Sequence, residues 1–258
     1  MLKKLFLYDL NAIRRRALPF VLAALGCAAL AFGITLLDYF LPEMGDIALF
    51  LDNTMTALLV GLFIAVFVLL VLAEIHIFSH FYRNFFTDEG YFTFMLPATR
   101  EQLLLSKILA GAVFTLIILL AAFLSLAVGA ILPFEILMQA EDASFLTALL
   151  RDLGDLFSVW GVISYTVSLF SQIVFIYTAI TLGALFFGKR KMLGAFVFYF
   201  VLSGVMSFVQ TFFSLLFFSI TETGEPFISI FTILFYLLVG FGGYIIMKRL
   251  LTRRLNLI

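Results

Sequence analysis

The residues of this chain whose types and spacing could do chemistry are few, and the first set matches part of a phosphate-binding loop. Residues 183–190 read GALFFGKR, which follows the pattern G-x-x-x-x-G-K as far as Lys189. The pattern then requires a Ser or Thr to hold Mg²⁺, and Arg190 stands in that place. A phosphate-binding loop also joins a strand to a helix, whereas this stretch ends an apolar run of helical length. We therefore predict no nucleotide site here, and we interpret Gly183 as a helix-packing residue.

The second set lies near the end of an apolar run and contains Glu74 and the only two histidines, His76 and His80. The histidines are four residues apart and share a helix face, as metal ligands do, but the pattern supplies no third strong ligand. Polar roles at the membrane boundary, or pairing with Arg83, are therefore favoured. Glu74 needs a partner, because a lone carboxylate in hydrocarbon is costly, and structural pairing is favoured over a proton relay.

No catalytic set emerges from the remaining polar residues. Serine-based catalysis within the membrane needs a serine and a base at the same depth, and no histidine lies near the serines of the later apolar runs. We therefore expect no enzyme activity and no cofactor or metal. Small residues in those runs are interpreted as close-packing positions between helices: Gly194, Ser203, Gly204, Gly240, Gly242 and Gly243.

The elements that must position these residues are membrane-spanning helices. Of 258 residues, 64% are hydrophobic and 12% are charged, against about 45–50% and about 25% in soluble domains. A helix needs roughly 20 apolar residues to cross a bilayer, and six runs qualify: 18–39, 54–77, 108–132, 157–187, 192–220 and 227–247. The predicted fold is a single all-α transmembrane domain over 1–258. The balanced net charge gives no basic excess for nucleic acid, so no nucleic-acid partner is expected.

The distribution of basic residues predicts the orientation. Fifteen of the 16 Lys and Arg residues fall in one alternate set of connections, and the opposite set, at 40–53, 133–156 and 221–226, holds only Arg151. The positive-inside rule places both termini, the 78–107 connection and the 188–191 hairpin in the cytoplasm. Residues 1–16 form an amphipathic pattern that predicts a helix in the inner membrane interface. Its basic residues are candidates for binding anionic lipid headgroups: Lys3, Lys4, Arg14, Arg15 and Arg16.

The connection at 78–107 has the most distinctive sequence outside the spans. Its phenylalanines at 78–86 continue the helical stripe of the second span, and the segment at 87–90 interrupts it. Pro97 ends the next stretch, and Thr99 with Gln102 forms a capping box that begins the third span. Between these points, Gly90 to Leu96 is rich in aromatic and aliphatic residues. It either lies on the membrane surface or contacts a partner protein through apolar residues rimmed by charge.

Residues 84–107, NFFTDEGYFTFMLPATREQLLLSK, resemble the connection between the second and third spans of bacterial type-2 ATP-binding-cassette (ABC) permeases. Members commonly have an acidic-Gly segment, then Leu-Pro-x-Thr/Ser-Arg and a leucine-rich helix with a lysine. The six-span layout with cytoplasmic termini also fits, although the last outer connection, 221–226, is shorter than in larger relatives. The resemblance implies that the loop is a coupling helix docked on a separate ATPase subunit, with the contacts made by the following residues: Thr87, Asp88, Glu89, Gly90, Tyr91, Phe92, Phe94, Met95, Pro97, Thr99 and Arg100.

The function predicted from this resemblance is that of a permease subunit in an exporter-like complex of the bacterial cell membrane. Its expected partners are the cytoplasmic ATPase, a second permease chain of the same or a homologous kind, and the lipid bilayer. The cargo is not predicted. The alternative is a stand-alone helical membrane protein, either a secondary carrier or an assembly scaffold. A carrier should place ionisable residues near mid-membrane, and the six runs contain essentially none there.

Overall fold

The computed structural model describes residues 1–40, 45–131, 159–187, 190–220 and 225–253. Within these ranges the regular structure is helical and contains no strand, which confirms the predicted all-α class. The helices, numbered in chain order, are α1 (Leu2–Phe40), α2 (Gly45–Phe86), α3 (Glu89–Phe94), α4 (Arg100–Leu126, extended by a π-helical turn at Ala127–Ile131), α5 (Val159–Phe186), α6 (Lys191–Ile220) and α7 (Glu225–Arg253). The predicted outer connection at 133–156 lies outside the described residues.

Six of these helices, all except the six-residue α3, are long and apolar enough to cross a membrane, as in a multi-pass membrane protein. Several extend well beyond the predicted spans. The 39 residues of α1 correspond to about 58 Å at 1.5 Å per residue, nearly twice the hydrocarbon thickness of about 30 Å. Residues 2–16 are the first turns of this continuous helix, so the structure does not show the predicted interfacial helix as a separate element.

The chain divides into two compact units. One contains Met1–Leu10, Phe78–Ala112 and the helices α5, α6 and α7. Its buried core joins the end of α2, the start of α4 and one face of α5, and its largest fully buried side chains include Tyr177, Phe81 and Phe85. Aromatic rings stack here, with the Phe81 and Tyr177 centroids 3.9 Å apart and nearly parallel. The core of this unit therefore lies next to the loop that contains α3, and Phe94 of α3 packs against it.

The other unit contains Asn11–Ile77 and the part of α4 that begins at Val113. In it, α1 presents a stripe of small buried residues at helical spacing: Ala17, Ala24, Ala28 and Ala31. Small side chains let helix backbones approach closely in a membrane. A Cβ added at Gly129 would lie 3.5 Å from the Phe63 ring and 3.7 Å from the Ala28 Cα, so α1, α2 and α4 meet closely at that point.

Glycines set the separation of α5, α6 and α7, and here the sequence predictions are partly right. A Cβ on Gly183 would lie 2.1 Å from the backbone nitrogen of Ala195, and one on Gly243 would lie 2.9 Å from Thr178 Oγ1. Gly194 and Gly240 are similarly close to neighbouring helices. The predictions for Gly204 and Gly242 are wrong, because both glycines face open space.

Candidate functional site

The loop between α2 and α4 begins where α2 ends at Phe86. The end of α2 is fixed by two hydrogen bonds to carbonyls that lack helical partners. Thr87 Oγ1 donates to the Arg83 carbonyl at 2.6 Å, and Lys191 Nζ, from the first residue of α6, donates to the Phe86 carbonyl at 3.1 Å. Lys191, which the sequence predicted only as a hairpin residue, therefore ties α6 to the base of the loop.

The short helix α3 rests on the core through its inner face. Gly90 is buried, and a Cβ there would lie 3.1 Å from the Phe85 carbonyl oxygen, so a larger residue would displace α3 from α2. Thr93 is buried and donates to the Glu89 carbonyl at 3.2 Å. Phe94 is half-buried with its ring centroid 5.5 Å from that of Phe85. We call Gly90, Thr93 and Phe94, together with Phe85 beneath them, the seat of α3. The sequence analysis had instead predicted that Phe94 is one of the exposed residues that contact a partner.

The outer face of α3 and the turn after it are apolar and exposed. Phe92 is 75% exposed and Met95 is 76% exposed, and Tyr91 and Leu96 are a little under half exposed. This segment lies outside all six membrane-length segments. The exposed charged residues Asp88, Glu89 and Arg100 flank it in the sequence.

The exit from the loop follows the sequence prediction. A short bend from Leu96 to Ala98 surrounds Pro97, and α4 begins at Arg100. The capping box is present, with the Gln102 backbone N–H donating to Thr99 Oγ1 at 3.3 Å and the Thr99 N–H donating to Gln102 Oε1 at 3.4 Å. These reciprocal bonds satisfy two backbone donors at the start of the helix and fix the direction in which α4 leaves the loop.

Charged side chains at the rim make exposed contacts. Arg83 pairs with Glu89 and thereby links α2 to the first turn of α3, so of the two alternatives offered for the histidines, pairing with Arg83 is not the one observed. Arg100 donates to the Leu251 carbonyl near the end of α7 and lies over the Phe94 ring at 5.8 Å. Glu101 pairs with Lys248 of α7. The loop is therefore connected to α2 and α7 by two exposed ion pairs and one part-buried hydrogen bond.

A second group of charged residues is buried beneath the loop. Asp9 of α1 is 2% exposed and Lys107 of α4 is 3% exposed, with Lys107 Nζ 2.9 Å from Asp9 Oδ1. His80 Nε2 lies 3.3 Å from the same oxygen, and Ser106 Oγ donates to Asp9 Oδ2 at 2.7 Å. Both carboxylate oxygens of Asp9 thus have partners. A buried ion pair needs this complete pairing, because each charge loses its hydration. We call these four residues the Asp9 cluster.

The Asp9 cluster is in contact with the seat of α3. Lys107 Nζ lies 5.5 Å from the centroid of the Phe85 ring, within the range of a cation–π interaction, and Phe85 packs on Phe94. On its other side, the Tyr177 hydroxyl donates to the Lys107 carbonyl at 3.5 Å while its ring stacks on Phe81. Packed side chains therefore connect the exposed loop with α1, α2, α4 and α5.

The Asp9 cluster was not predicted from the sequence, although the sequence contains one signal for it. Asp9 lies on the apolar face of the N-terminal helix, in register with Leu2, Phe6 and Ile13. An acid on an apolar stripe indicates a buried partner. Lys107 occurs likewise among buried Leu103, Leu104 and Ile108, although the positive-inside rule treats it as a cytoplasmic charge.

The other candidate residues have partners of their own. His76 Nδ1 lies 2.7 Å from the Leu72 carbonyl and its ring contacts Phe20, so the two histidines have different partners. Glu74 is paired structurally, as predicted, by Thr115 Oγ1 at 3.4 Å. Gly183 belongs to α5 and packs on α6, which confirms its predicted packing role. The described residues contain no group of three His, Cys, Asp or Glu side chains suited to a metal ion.

The basic residues predicted to contact lipid headgroups are all exposed along α1: Lys3, Lys4, Arg14, Arg15 and Arg16. They lie on the turns around buried Asp9 and Ile13. Exposure on the first turns of a membrane-length helix is compatible with headgroup binding, which stays a prediction.

Comparison with known proteins gives no further guide, because no protein-family model, curated protein or solved structure matches this chain.

Proposed function

We propose that this chain is the membrane-spanning permease subunit of an ABC exporter-like complex, with ATP hydrolysed by a separate ATPase subunit. In this proposal α3 and its flanking turns are the coupling element, and a second permease chain completes the path. The termini and the α2–α4 loop face the cytoplasm of a bacterial cell, as the basic asymmetry of the sequence predicts.

The observation that carries the proposal is the two-sided character of α3. Its inner face is fixed by Gly90 and Phe94, while Phe92 and Met95 on the outer face are about three-quarters exposed. Exposed apolar side chains outside the membrane segments are typical of surfaces that bind a protein or a membrane, and the flanking charged residues favour a protein partner. Aromatic anchors in such surfaces contribute on the order of 2 kcal/mol or more when buried in a partner's pocket.

The seat of α3 also provides a route by which a docked ATPase could act on the spans. A force on α3 reaches α2 through Phe94 and Phe85, and reaches α4 through Phe85 and Lys107. Packed cores respond to such displacements by switching between discrete arrangements rather than by deforming continuously. Two arrangements of the permease, biased by the nucleotide state of the ATPase, are all that the proposal requires.

Co-purification tests the proposal. The wild-type chain, extracted in mild detergent, should retain a cytoplasmic ATPase, and the triple variant Tyr91→Ala, Phe92→Ala, Met95→Ala should lose it while inserting at normal levels. Phe208→Ala is the matched control, since Phe208 is 73% exposed but lies on the membrane segment of α6. The control should retain the ATPase.

The alternative, a stand-alone membrane protein with the loop lying on lipid, gives the opposite result. The triple variant would then change membrane-surface contacts without loss of a protein partner. Recovery of no ATPase with the wild-type chain, under any mild detergent or crosslinking condition, would refute the permease assignment.

Orientation is tested separately in a Cys27→Ala background. Phe92→Cys should react with an impermeant thiol reagent only after permeabilisation, whereas Gln139→Cys should react in intact cells. Reaction of position 92 from outside would overturn the topology on which the ATPase docking depends.

A further inference from the structure

The helices α5, α6 and α7 border an open cavity of about 160 Å³ that is lined by uncharged polar side chains as well as aromatic rings. Its polar lining is contributed mainly by Ser171 and Gln172 of α5, by Ser203, Ser207 and Gln210 of α6, and by Tyr236 of α7. An engineered cavity of about 150 Å³ in another protein holds benzene, so this one has room for a group of roughly six heavy atoms. All three helices belong to the same compact unit.

The position of the polar groups is unusual for a membrane protein. Gln172 lies at the middle of the 28-residue α5, and Ser203, Ser207 and Gln210 occupy the central part of the 30-residue α6. On α6 they recur at positions i, i+4 and i+7, which lie on one face of the helix. At mid-membrane depth there is no water to satisfy an amide or hydroxyl, so polar groups there face protein partners or a cavity.

The polar groups differ in whether the protein satisfies them. Ser171 Oγ donates to the Tyr236 carbonyl at 2.6 Å. A Cβ on Gly240 would lie 3.2 Å from Ser171 Oγ, so the α5–α7 edge of the cavity is closely packed. Among the described residues, the amides of Gln172 and Gln210 make no hydrogen bond to another protein group. Their donors and acceptors are available to a molecule in the cavity.

The cavity is open to the outer surface of α5 and α6, since two of the residues that line it are exposed. Gln172 and Ser207 are themselves exposed, and the neighbouring residues Val205 and Phe208 are exposed and apolar. The residues that line the cavity carry no charge. A ligand matched to this site has an uncharged head with hydroxyl or amide groups and an apolar chain that lies along α6.

We propose that the cavity between α5, α6 and α7 binds the uncharged, hydroxyl- or amide-bearing head of an amphiphile that enters from the membrane. Binding does not require the ATPase. That the bound amphiphile is the transported cargo, or resembles it, rests on the proposed function above.

Photolabelling in vesicles tests the binding. Three probes with the same chain and a diazirine next to the head are compared: a monoacylglycerol, a fatty acid and a fatty amine. The monoacylglycerol should label the cavity residues Met206 and Phe235, as mapped by mass spectrometry. Labelling by the two charged probes should be about three- to tenfold weaker, since hydrogen bonds alone give this much discrimination.

Variants assign the labelling to the polar lining. Gln172→Leu with Gln210→Leu should reduce monoacylglycerol labelling to the level of the charged probes, and Ser203→Ala with Ser207→Ala should reduce it less. Thr166→Val is the matched control on α5, because Thr166 bonds only to the Val162 carbonyl of its own helix and does not line the cavity. Because leucine suits a membrane-facing position, a folding defect is not expected, and retention of the gel-filtration profile verifies this.

Gln172→Glu provides a gain-of-binding arm. The new carboxylate should raise labelling by the fatty amine and lower labelling by the monoacylglycerol.

Equal labelling by all three probes, or labelling unaffected by the glutamine variants, would overturn the proposal. So would the absence of labelling together with Ser207→Cys crosslinks between two chains, because a second copy would then cover the cavity. The ATPase enters none of these outcomes, so failure here leaves the permease proposal to its own test.

Discussion

Two polar regions within one unit of this protein differ in how their hydrogen-bonding groups are satisfied. The Asp9 cluster carries full charges, and each oxygen of the Asp9 carboxylate has a partner within 3.3 Å. The cavity between α5, α6 and α7 carries no charge, and the Gln172 and Gln210 amides make no hydrogen bond with the rest of the described chain.

The difference indicates two kinds of role. Buried charges without partners are too costly to persist, so a completely paired cluster fixes the relative positions of the helices that supply it. Neutral amides and hydroxyls cost less to leave unpaired, and they remain available to a ligand. The Asp9 cluster is therefore interpreted as support for the seat of α3, and the cavity as a binding site.

The largest expected effect comes from breaking the buried pair. Asp9→Leu leaves Lys107 charged and unpaired, and should lower the free energy of unfolding in mixed micelles by about 3–5 kcal/mol. Adding Lys107→Met should recover most of the loss, since an apolar pair of similar volume is tolerated. Gln172→Leu at the cavity should change stability by less than about 0.5 kcal/mol. Equal effects of Asp9→Leu and Gln172→Leu would remove the distinction between the two regions.

The next largest effect is expected from two glycines on the helices that line the cavity, one closely packed and one exposed. Gly183→Ala places a methyl group against the backbone of Ala195, and the overpacking should cost about 1–3 kcal/mol. Gly204, next to the cavity residue Ser203, faces open space, so Gly204→Ala should be neutral or stabilising by up to about 1 kcal/mol. Thermal unfolding of the two variants in the same detergent measures the difference. If Gly204→Ala were destabilising, another group would have to pack against α6 at Gly204, which would contradict the open space there.

Variants at Thr99 test how much the capping box contributes to the stability of α4 and to the orientation of the loop. Thr99→Ala removes the acceptor for the Gln102 N–H and should cost about 1 kcal/mol. Thr99→Ser keeps an acceptor and should recover most of that loss. If Thr99→Ala also weakened retention of the ATPase while Thr99→Ser did not, the cap would be needed to orient the loop as well as to stabilise α4.

The smallest effect is expected at the exposed ion pair. Arg83 and Glu89, like Lys107 and Asp9, form a pair of opposite charges, but their side chains are 42% and 49% exposed. Glu89→Ala should therefore cost about 0–1 kcal/mol, and the loss should shrink as salt screens the pair. A salt-insensitive cost near that of Asp9→Leu would show that burial is not what separates the two pairs.

Much of the architecture follows from the sequence because it depends on neighbours in the chain. Apolar length predicts the six long helices, and Thr99 and Gln102 form their capping box across three residues. The end of α2 near Thr87 and the bend at Pro97 are likewise local. The segment between these two points contains α3, and its contacts with an ATPase stay a prediction.

Only the tertiary structure decided which polar residues meet. Asp9 and Lys107 are 98 residues apart, and their pairing depends on the faces that α1 and α4 turn toward each other. The same holds for Phe94, which packs on Phe85 while its neighbour Phe92 faces outward, and for the cavity formed by three separate helices. Apolar length and capping depend on residues that are near one another in the chain. Contacts between helices depend on rotation and packing that a single sequence pattern does not specify.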